Sequence, residues 1–552
     1  MRRFLSLFTM LMLCGVFAFA QNRVVTGTIT DDKGAPVEGA SIRVKGTRTG
    51  ASADAQGAFR ISVPPGATLT ISGVGVTAKD VSVGTQSVIN ISVIRSGAPE
   101  LTAVVVTAAG IRRSEKTTGY AVSKVDPGVL LQKSEPDVLK GLQGKVAGVD
   151  IRSSQGTPGS ATRIQIRGNS SFYGDNQPLI VVDGVPFSND QVGGNSLGGA
   201  GAYSTGLSDL DPNDVASMTI LKGATASALY GSRASNGVVL ITTKSGSVSK
   251  SRKGLEVNAK SSISFENIGN LPDYQNSYGT GSQGNATGGA NGSWGGRFGA
   301  PGNDSVPVWA DYSKYFPQLF PTGKVAYRAY PDNVKDQFQT GLVTENSIGF
   351  TGGDEKSSFA LTASNLNHSG YVPNNRFTRT NIGLGGFSRL SNGLGVRANL
   401  SYSRANQNGG LFGENQSGAS SQFGRSLFFG RSWDLSLPYE DANGNSVSYL
   451  SGQFDNPFWS AKYNTASTIT ERIIANTHLD YQISKWAKVD FGAGTDISQL
   501  SRTSITEVSS RSSGLGTLEL TDYKKQEIQA NLLFTFSPNT GDNFTTKILA
   551  GT

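Results

Sequence analysis

The chain is almost without cysteine: Cys14 is the single one in 552 residues, and it lies in an N-terminal apolar run. The remainder therefore carries no disulfide and no thiolate chemistry. Histidine is nearly as scarce, with only His368 and His478, far apart in sequence. A metal cluster or nucleophile built on His or Cys is thereby excluded. Charged residues make up only 16%, and although the formal net charge is +8, the Lys and Arg are scattered and form no basic run, so nothing points to nucleic acid. Beyond the first twenty residues no apolar run reaches the 18 or so residues of a membrane-spanning helix. Glycine is abundant, at 70 residues, but has no G-X-Y period, which excludes collagen, and 9% aromatics are too many for a disordered polar chain.

At the N-terminus, Met1-Arg2-Arg3, an apolar stretch from Phe4 to Phe19, and Ala18-Phe19-Ala20 form the three parts of a secretory signal peptide, assigned to residues 1–20. A lipoprotein signal at Cys14 fits less well, because Leu13 is bulky where a small residue is expected. The mature chain thus leaves the cytoplasm.

Residues 21–95 alternate with period two, as in Ile42, Val44 and Phe59, Ile61, Val63, between the turns Asp31-Asp32-Lys33-Gly34 and Asp54-Ala55-Gln56-Gly57. Short strands with regular turns predict a small β-sandwich. Residues 96–116 read as a linker holding one β-branched run, Val104-Val105-Val106-Thr107. Residues 117–248 read as an α+β module. Ser134-Glu135-Pro136-Asp137 opens a helix, Leu179-Ile180-Val181-Val182 runs into an Asp183-Gly184 hairpin, and a helix-prone Ala224–Tyr230 precedes an Asn236-Gly237 turn.

From residue 249 onward the pattern changes. Leu255, Val257, Ala259, Ile263 and Phe265 alternate with polar residues, and so do the segments 394–402, 473–483, 489–497 and 528–536. Segments of about 10 residues, apolar on one side and polar on the other, predict an outer-membrane β-barrel. Short turns such as 391–393 and long Gly/Asn/Ser-rich loops such as 267–342 and 405–469 agree with it. A secreted adhesin of stacked β-domains is the competing class. About ten such strands follow residue 250, whereas a barrel whose lumen holds a plug needs about 22, so the chain is expected to be the front part of a longer protein.

The middle section carries a series of motifs: Gly141–Val149, Ile166-Arg167-Gly168, Pro178–Pro186 around Asp183-Gly184, Asp211-Pro212-Asn213-Asp214-Val215, Ile220–Ala226 with Lys222, and Leu229–Val239 with Tyr230, Gly231, Asn236 and Gly237. In this order they resemble the plug domain of the SusC/RagA family of TonB-linked outer-membrane proteins from Bacteroidetes. Residues 25–40 resemble the carboxypeptidase-regulatory-like domain. The resemblance implies a mostly β protein: the N-terminal regulatory-like sandwich, the α+β plug, and the first part of a large antiparallel outer-membrane barrel. It implies import of oligosaccharides or peptides across the outer membrane with a SusD-like surface lipoprotein, driven by the inner-membrane TonB complex, with no cofactor and no enzymatic activity. A signalling receptor of the same fold is the alternative, against which the N-terminal sandwich argues. Val104, Val105, Val106, Thr107 and Ala108 occupy the place of the family's TonB box, where an extended, unpaired segment can add a strand to a partner's sheet. Arg167, Gly168, Asp183, Gly184, Lys222, Tyr230, Gly231, Asn236 and Gly237 are expected to be structural parts of the plug.

Other chemistry is missing. Gly279-Thr280-Gly281-Ser282-Gln283-Gly284 matches G-x-G-x-x-G but lacks the flanking strand and helix of a dinucleotide site, so it reads as loop. Asp480 and Asp490 fall on the predicted wet face of the barrel. Arg163 and Arg167, alternating with Ile164 and Ile166, either face water or bind acids on the barrel wall. Trp294, Phe298, Trp433 and Trp459 could stack on sugars or pack between loops.

Overall fold

A computed structural model describes residues 23–552 apart from 32–33, 48, 74–75, 94–103, 107–111, 115–121, 126–127, 129–136, 154–155, 170, 173–175, 191, 193–202, 223–229, 245–253, 291, 355, 411–421, 451–452 and 539–545. The signal-peptide assignment and the helix starts at Ser134 and Ala224 lie outside the described residues. The chain divides into two units.

In the first unit, period-two alternation gives two sheets that share one core. Strands Ala58–Val63, Arg23–Asp31 and Ile91–Val93 form one sheet, and Gly50–Ser52, Ser41–Val44, Thr68–Gly73 and Val76–Ser82 the other. Every second residue points inward, so Val25, Ile29, Ile42, Val44, Phe59 and Ile71 are buried together. The Asp turns work as their chemistry demands: Asp54 Oδ1 accepts from the backbone N–H of Gln56 and Ala58 at 3.0 and 2.8 Å, and Gly57 closes the turn at φ 73°.

The second unit holds the plug and the barrel wall. The plug sheet runs in the order Val122–Val125, Val215–Leu221, Val238–Thr243, Leu179–Val182, Val185–Phe187. Leu179–Val182 and Val238–Thr243 pair in parallel and are apolar at consecutive positions. Such a run is buried on both faces. Ile180, Val182, Val239 and Ile241 enter the main plug core, while Val181, Val238 and Leu240 enter a second cluster.

The wall is a nine-stranded antiparallel sheet in strict sequence order: Gly254–Glu266, Gly341–Gly353, Ser357–Ser369, Arg376–Arg389, Gly395–Gly410, Thr465–Ser484, Ala487–Thr506, Thr517–Phe536 and Ile548–Gly551. The connections 267–340, 370–375, 411–464 and 507–516 lie at one end, and 354–356, 390–394 and 485–486 at the other. Long loops at one rim and tight turns at the opposite rim are the pattern of an outer-membrane barrel. Most of these strands are 13 to 20 residues long, not the expected ten. Only the lipid band requires outward apolar residues. The hydrogen-bond ladder continues past that band through polar stretches such as Ser501–Thr506 paired with Thr517–Asp522. Outward residues Leu255, Ile263, Ile382, Leu384, Leu400, Ile473 and Ile528 are exposed. At the tight-turn rim, exposed Trp486 stacks on Phe536 at 6.2 Å, the start of an aromatic girdle.

The long loops are not loose. Trp309, Tyr312, Phe429, Trp433 and Tyr449 form an aromatic core, with Trp433 stacked on Tyr449 at 4.9 Å. Trp459 is buried and its indole N–H donates to Gly444 O at 2.8 Å. For Trp433 and Trp459 the sugar-stacking option is therefore ruled out: apolar rings on long loops find each other before they find a ligand. Phe298 pairs with Tyr327, and Trp294 remains exposed beside Tyr278. The G-x-G-x-x-G stretch is a tight hairpin: Gly281–Ser282 pairs with Asn285–Ala286 around Gln283 and Gly284, both at positive φ.

Candidate functional site at the seam between plug and barrel wall

A barrel strand that shows lipid one face must satisfy the polar groups on its other face within the lumen. Here the plug supplies the partners. Arg472, on strand Thr465–Ser484, donates to Asp496 of the neighbouring wall strand, with Nε to Oδ1 at 2.7 Å, and its Nη2 also reaches Ser188 O of the plug at 2.8 Å. Its Nη1 reaches Asp209 Oδ2 of the plug at 3.4 Å, and the guanidinium lies over the Phe187 ring. Asp496 also accepts from Ser188 N at 3.1 Å. Arg472, Asp496 and Asp209 are all buried. The backbone of Gly206 comes so close that a Cβ there would collide with Ser188 O and the Arg472 guanidinium, so glycine is the residue that fits.

The same logic repeats along the wall. Arg379 Nη1 donates to Ser208 O, and Asn381 Nδ2 donates to Asp209 O, each at 2.9 Å. Arg502 donates to Val192 O at 2.8 Å and stacks on Tyr203. The Asp211-Pro212-Asn213-Asp214 motif forms a 3-10 turn in which Asp211 Oδ1 accepts from Asn213 N at 2.9 Å. That turn aims two side chains at the wall: Asn213 Nδ2 donates to Glu345 Oε1 at 2.7 Å, and Asp214 Oδ1 accepts from Thr362 Oγ1 at 3.1 Å. Lys260 completes the Glu345 site at 2.9 Å.

The Asp183-Gly184 turn is a further anchor. Both residues have positive φ, 49° and 89°, and Val182 pairs with Val185, giving the two-residue type I′ hairpin. The Asp183 carboxylate accepts from Thr243 N–H and Oγ1–H at 2.9 and 2.6 Å and from Asn399 Nδ2 of the wall at 2.9 Å, and Asn476 Nδ2 donates to Asp183 O at 2.9 Å. Burial pushes the Asp183 carboxyl up, against these bonds and the nearby Arg397.

The other plug-motif residues sit within the plug. Arg167 and Gly168 make a turn at positive φ, with Arg167 N donating to Gly148 O at 2.9 Å. Lys222 Nζ donates to Ala147 O at 2.6 Å. Tyr230 packs on the second plug cluster, ahead of a 3-10 turn at Gly231–Ala234. Asn236 Nδ2 donates to Gln177 O at 3.3 Å, and Gly237 stands at φ 94°, where a Cβ would meet Leu221 O and Ile166.

Of the two options for Arg163 and Arg167, facing water is the one observed, and one expectation is corrected. Arg163 and Arg167 are exposed and form no described ion pair with the wall. At the buried ion pair Arg472–Asp209 the arginine comes from the wall and the acid from the plug, whereas at the exposed Arg233–Glu527 contact the plug brings the arginine. And Val104–Val106 is not unpaired. It forms a two-stranded sheet with Arg112–Ser114, the nearest strand available to satisfy an isolated extended segment. Thr107 and Ala108 lie outside the described residues. Asp480 and Asp490 are engaged in ion pairs with Arg389 and Lys488 at 3.0 and 2.5 Å. The seam residues Arg379, Arg472, Asp496 and Arg502 escaped the sequence reading as partners of the plug. One signal was present: Ile473-Ile474 breaks the apolar–polar alternation, and Ile474 is the wall residue that enters the plug core.

Comparison with known proteins agrees with this geometry. The TonB-dependent Receptor Plug Domain family matches residues 114–238, and the CarboxypepD_reg-like domain family matches residues 25–106. The TonB-dependent receptor SusC of Bacteroides thetaiotaomicron is 37% identical over 260 residues, covering 46% of this chain and 24% of that protein. The TonB-dependent receptor P3 of Formosa agariphila is 27% identical over 509 residues, covering 90% of this chain and 44% of that protein. A structure of the RagAB peptide importer in the open-open state superposes with a TM-score of 0.61 at 22% identity, covering 81% of this chain and 48% of that one, a likeness of fold. The chain spans about half the length, or less, of the relatives it matches.

Proposed function

Starting from a chain that is a member of the SusC/RagA family of TonB-linked outer-membrane proteins, we propose that it serves energy-coupled import of oligosaccharides or peptides across the outer membrane. The observation that carries this reading is the chemistry of the seam. Among the described residues of the main plug core, only Ile474 comes from the wall, while the other contacts named above are hydrogen bonds, ion pairs and two wall arginines laid over plug rings. A plug held this way can leave the wall without exposing its core, because water replaces polar partners at modest net cost. The periplasm offers no ATP, so a plugged pore needs work delivered from elsewhere. TonB is the partner proposed to deliver it, at Val104, Val105, Val106, Thr107 and Ala108. A SusD-like surface lipoprotein is the proposed second partner, and the RagAB importer supports a peptide as one cargo class.

Strand addition uses backbone donors and the edge left open by the Arg112–Ser114 pairing, or displaces that strand. Val106→Pro removes an N–H and restricts Val105. It is expected to abolish energised uptake while cell-surface cargo binding persists, whereas Val106→Thr is expected to be nearly silent. Wild-type growth of the proline variant on the cargo would place the box elsewhere, and joint loss of binding and uptake would make the segment part of the fold.

A further inference from the structure

The seam contains a buried acid that its neighbours do not satisfy. Arg472 commits its short contact to the wall acid Asp496, and reaches Asp209 Oδ2 only at 3.4 Å. Asp209 Oδ1 is buried and has no hydrogen-bond partner among the described residues, and Thr205 Oγ1 beside it is in the same position. Both line a cavity of about 30 Å³ between plug and wall, together with Ser188, Ser204, Thr470 and Arg472. A cavity of that size holds about two waters. A carboxylate with one oxygen unpaired in such a place is costly when charged, and far less so when protonated.

We propose that Asp209 is a proton-binding site of the plug–wall seam, so that docking of the plug takes up a proton and undocking releases it. The charged groups facing it come from both bodies. Arg472 and Arg379 from the wall favour its ionised form, and Lys525 of the wall is engaged with Asp190, which lines the same cavity. Asp496 from the wall opposes it, while the plug acids Asp190 and Asp211 are themselves paired with Lys525 and Arg379. Burial dominates, and the Asp209 carboxyl is pushed up to about 6 from the ordinary 3.8. A carboxyl whose pKa is higher docked than free binds more protons when docked. The extra retention is therefore complete below the free value of about 4 and is lost as pH rises through about 6. Acid seats the plug more firmly, and neutral pH loosens it.

The inference does not need the import reading, and its test does not use transport. In the full chain, hydrogen exchange of residues 204–215 is followed between about pH 5 and about pH 7.5 and corrected for intrinsic rates. The opening equilibrium of the wild type is expected to grow about tenfold over that window, from a shift of the order of two pKa units. Asp209→Asn is expected to be flat with pH and as protected as the acid wild type. Asp190→Asn is expected to keep the wild-type dependence. A flat wild type, or an Asp209→Asn variant that keeps the dependence, overturns the proposal. If Asp209→Asn does not assemble, Asp209→Ser takes its place, and ¹³C-aspartate infrared spectra compare it with the wild type: the wild type must show a buried protonated carboxyl at acid pH that vanishes near neutrality and that Asp209→Ser lacks, and its absence from the wild type or its persistence in Asp209→Ser is equally fatal. A seam that responds to pH in a protein that imports nothing would sink the transport reading and leave this one standing.

Discussion

The N-terminal sandwich and the plug are both small β modules, and they complete themselves in opposite ways. The sandwich closes its core with its own residues, from Val25 to Val93. The plug closes most of its core alone but borrows Ile474 from the wall and hands the wall a set of buried polar groups, among them Asp183, Asp209, Asn213 and Asp214. Apolar self-sufficiency makes a body that stands alone. Polar complementarity makes one that is held in place by a partner surface and can be let go.

The contrast can be broken first where charge is buried. Arg472→Met leaves Asp496 and Asp209 without their shared cation, and removing one member of a buried ion pair costs about 3–5 kcal/mol. Protease protection of the plug against denaturant should fall by that amount, and the double variant with Asp496→Leu should recover much of it. An equally large change in the other module, Phe59→Ala, should cost about 3–5 kcal/mol of sandwich stability. It should leave the plug's protection untouched, and coupled loss of both would refute the independence of the two cores. A smaller loss is expected for Gly184→Val. Gly184 stands at φ 89° with room for a Cβ, so the cost is backbone strain of about 1–3 kcal/mol, read as a shift in the plug transition. The least effect is expected at the exposed edge of the seam: Arg233 and Glu527 lie 3.5 Å apart with Arg233 mostly in solvent, so Arg233→Ala should change plug protection by less than about 1 kcal/mol.

Much of this architecture was legible because alternation and turn chemistry are local. The strand that became Thr465–Ser484 declared its lipid side through Ile473 and Tyr481, and Asp183-Gly184 declared its hairpin through two residues that tolerate positive φ. The seam was less legible, because it pairs residues hundreds of positions apart. Nothing local to Arg472 says that Asp209 and Ser188 will lie beside it, and the plug arginines 163 and 167, for which wall acids were one of two options, are exposed. Strand length was misjudged because polar stretches such as Ser501–Thr506 carry no amphipathic signal, although they keep the ladder. The loop tryptophans were ambiguous for the same reason: Trp433 finds Tyr449 only when two long loops fold together.

The central claim is that the plug is a separable body whose release from the wall admits the cargo. The most direct test is a reversible tether across the seam. Asp214 Oδ1 and Thr362 Oγ1 stand 3.1 Å apart, one on the plug and one on the wall, and Cys14 is the chain's single native cysteine, so Asp214→Cys with Thr362→Cys offers a clean pair. Oxidised, the double variant should bind cargo at the cell surface yet fail to import it, and reductant should restore import to the level of the untethered control. Import at the control rate with the tether closed would contradict the account.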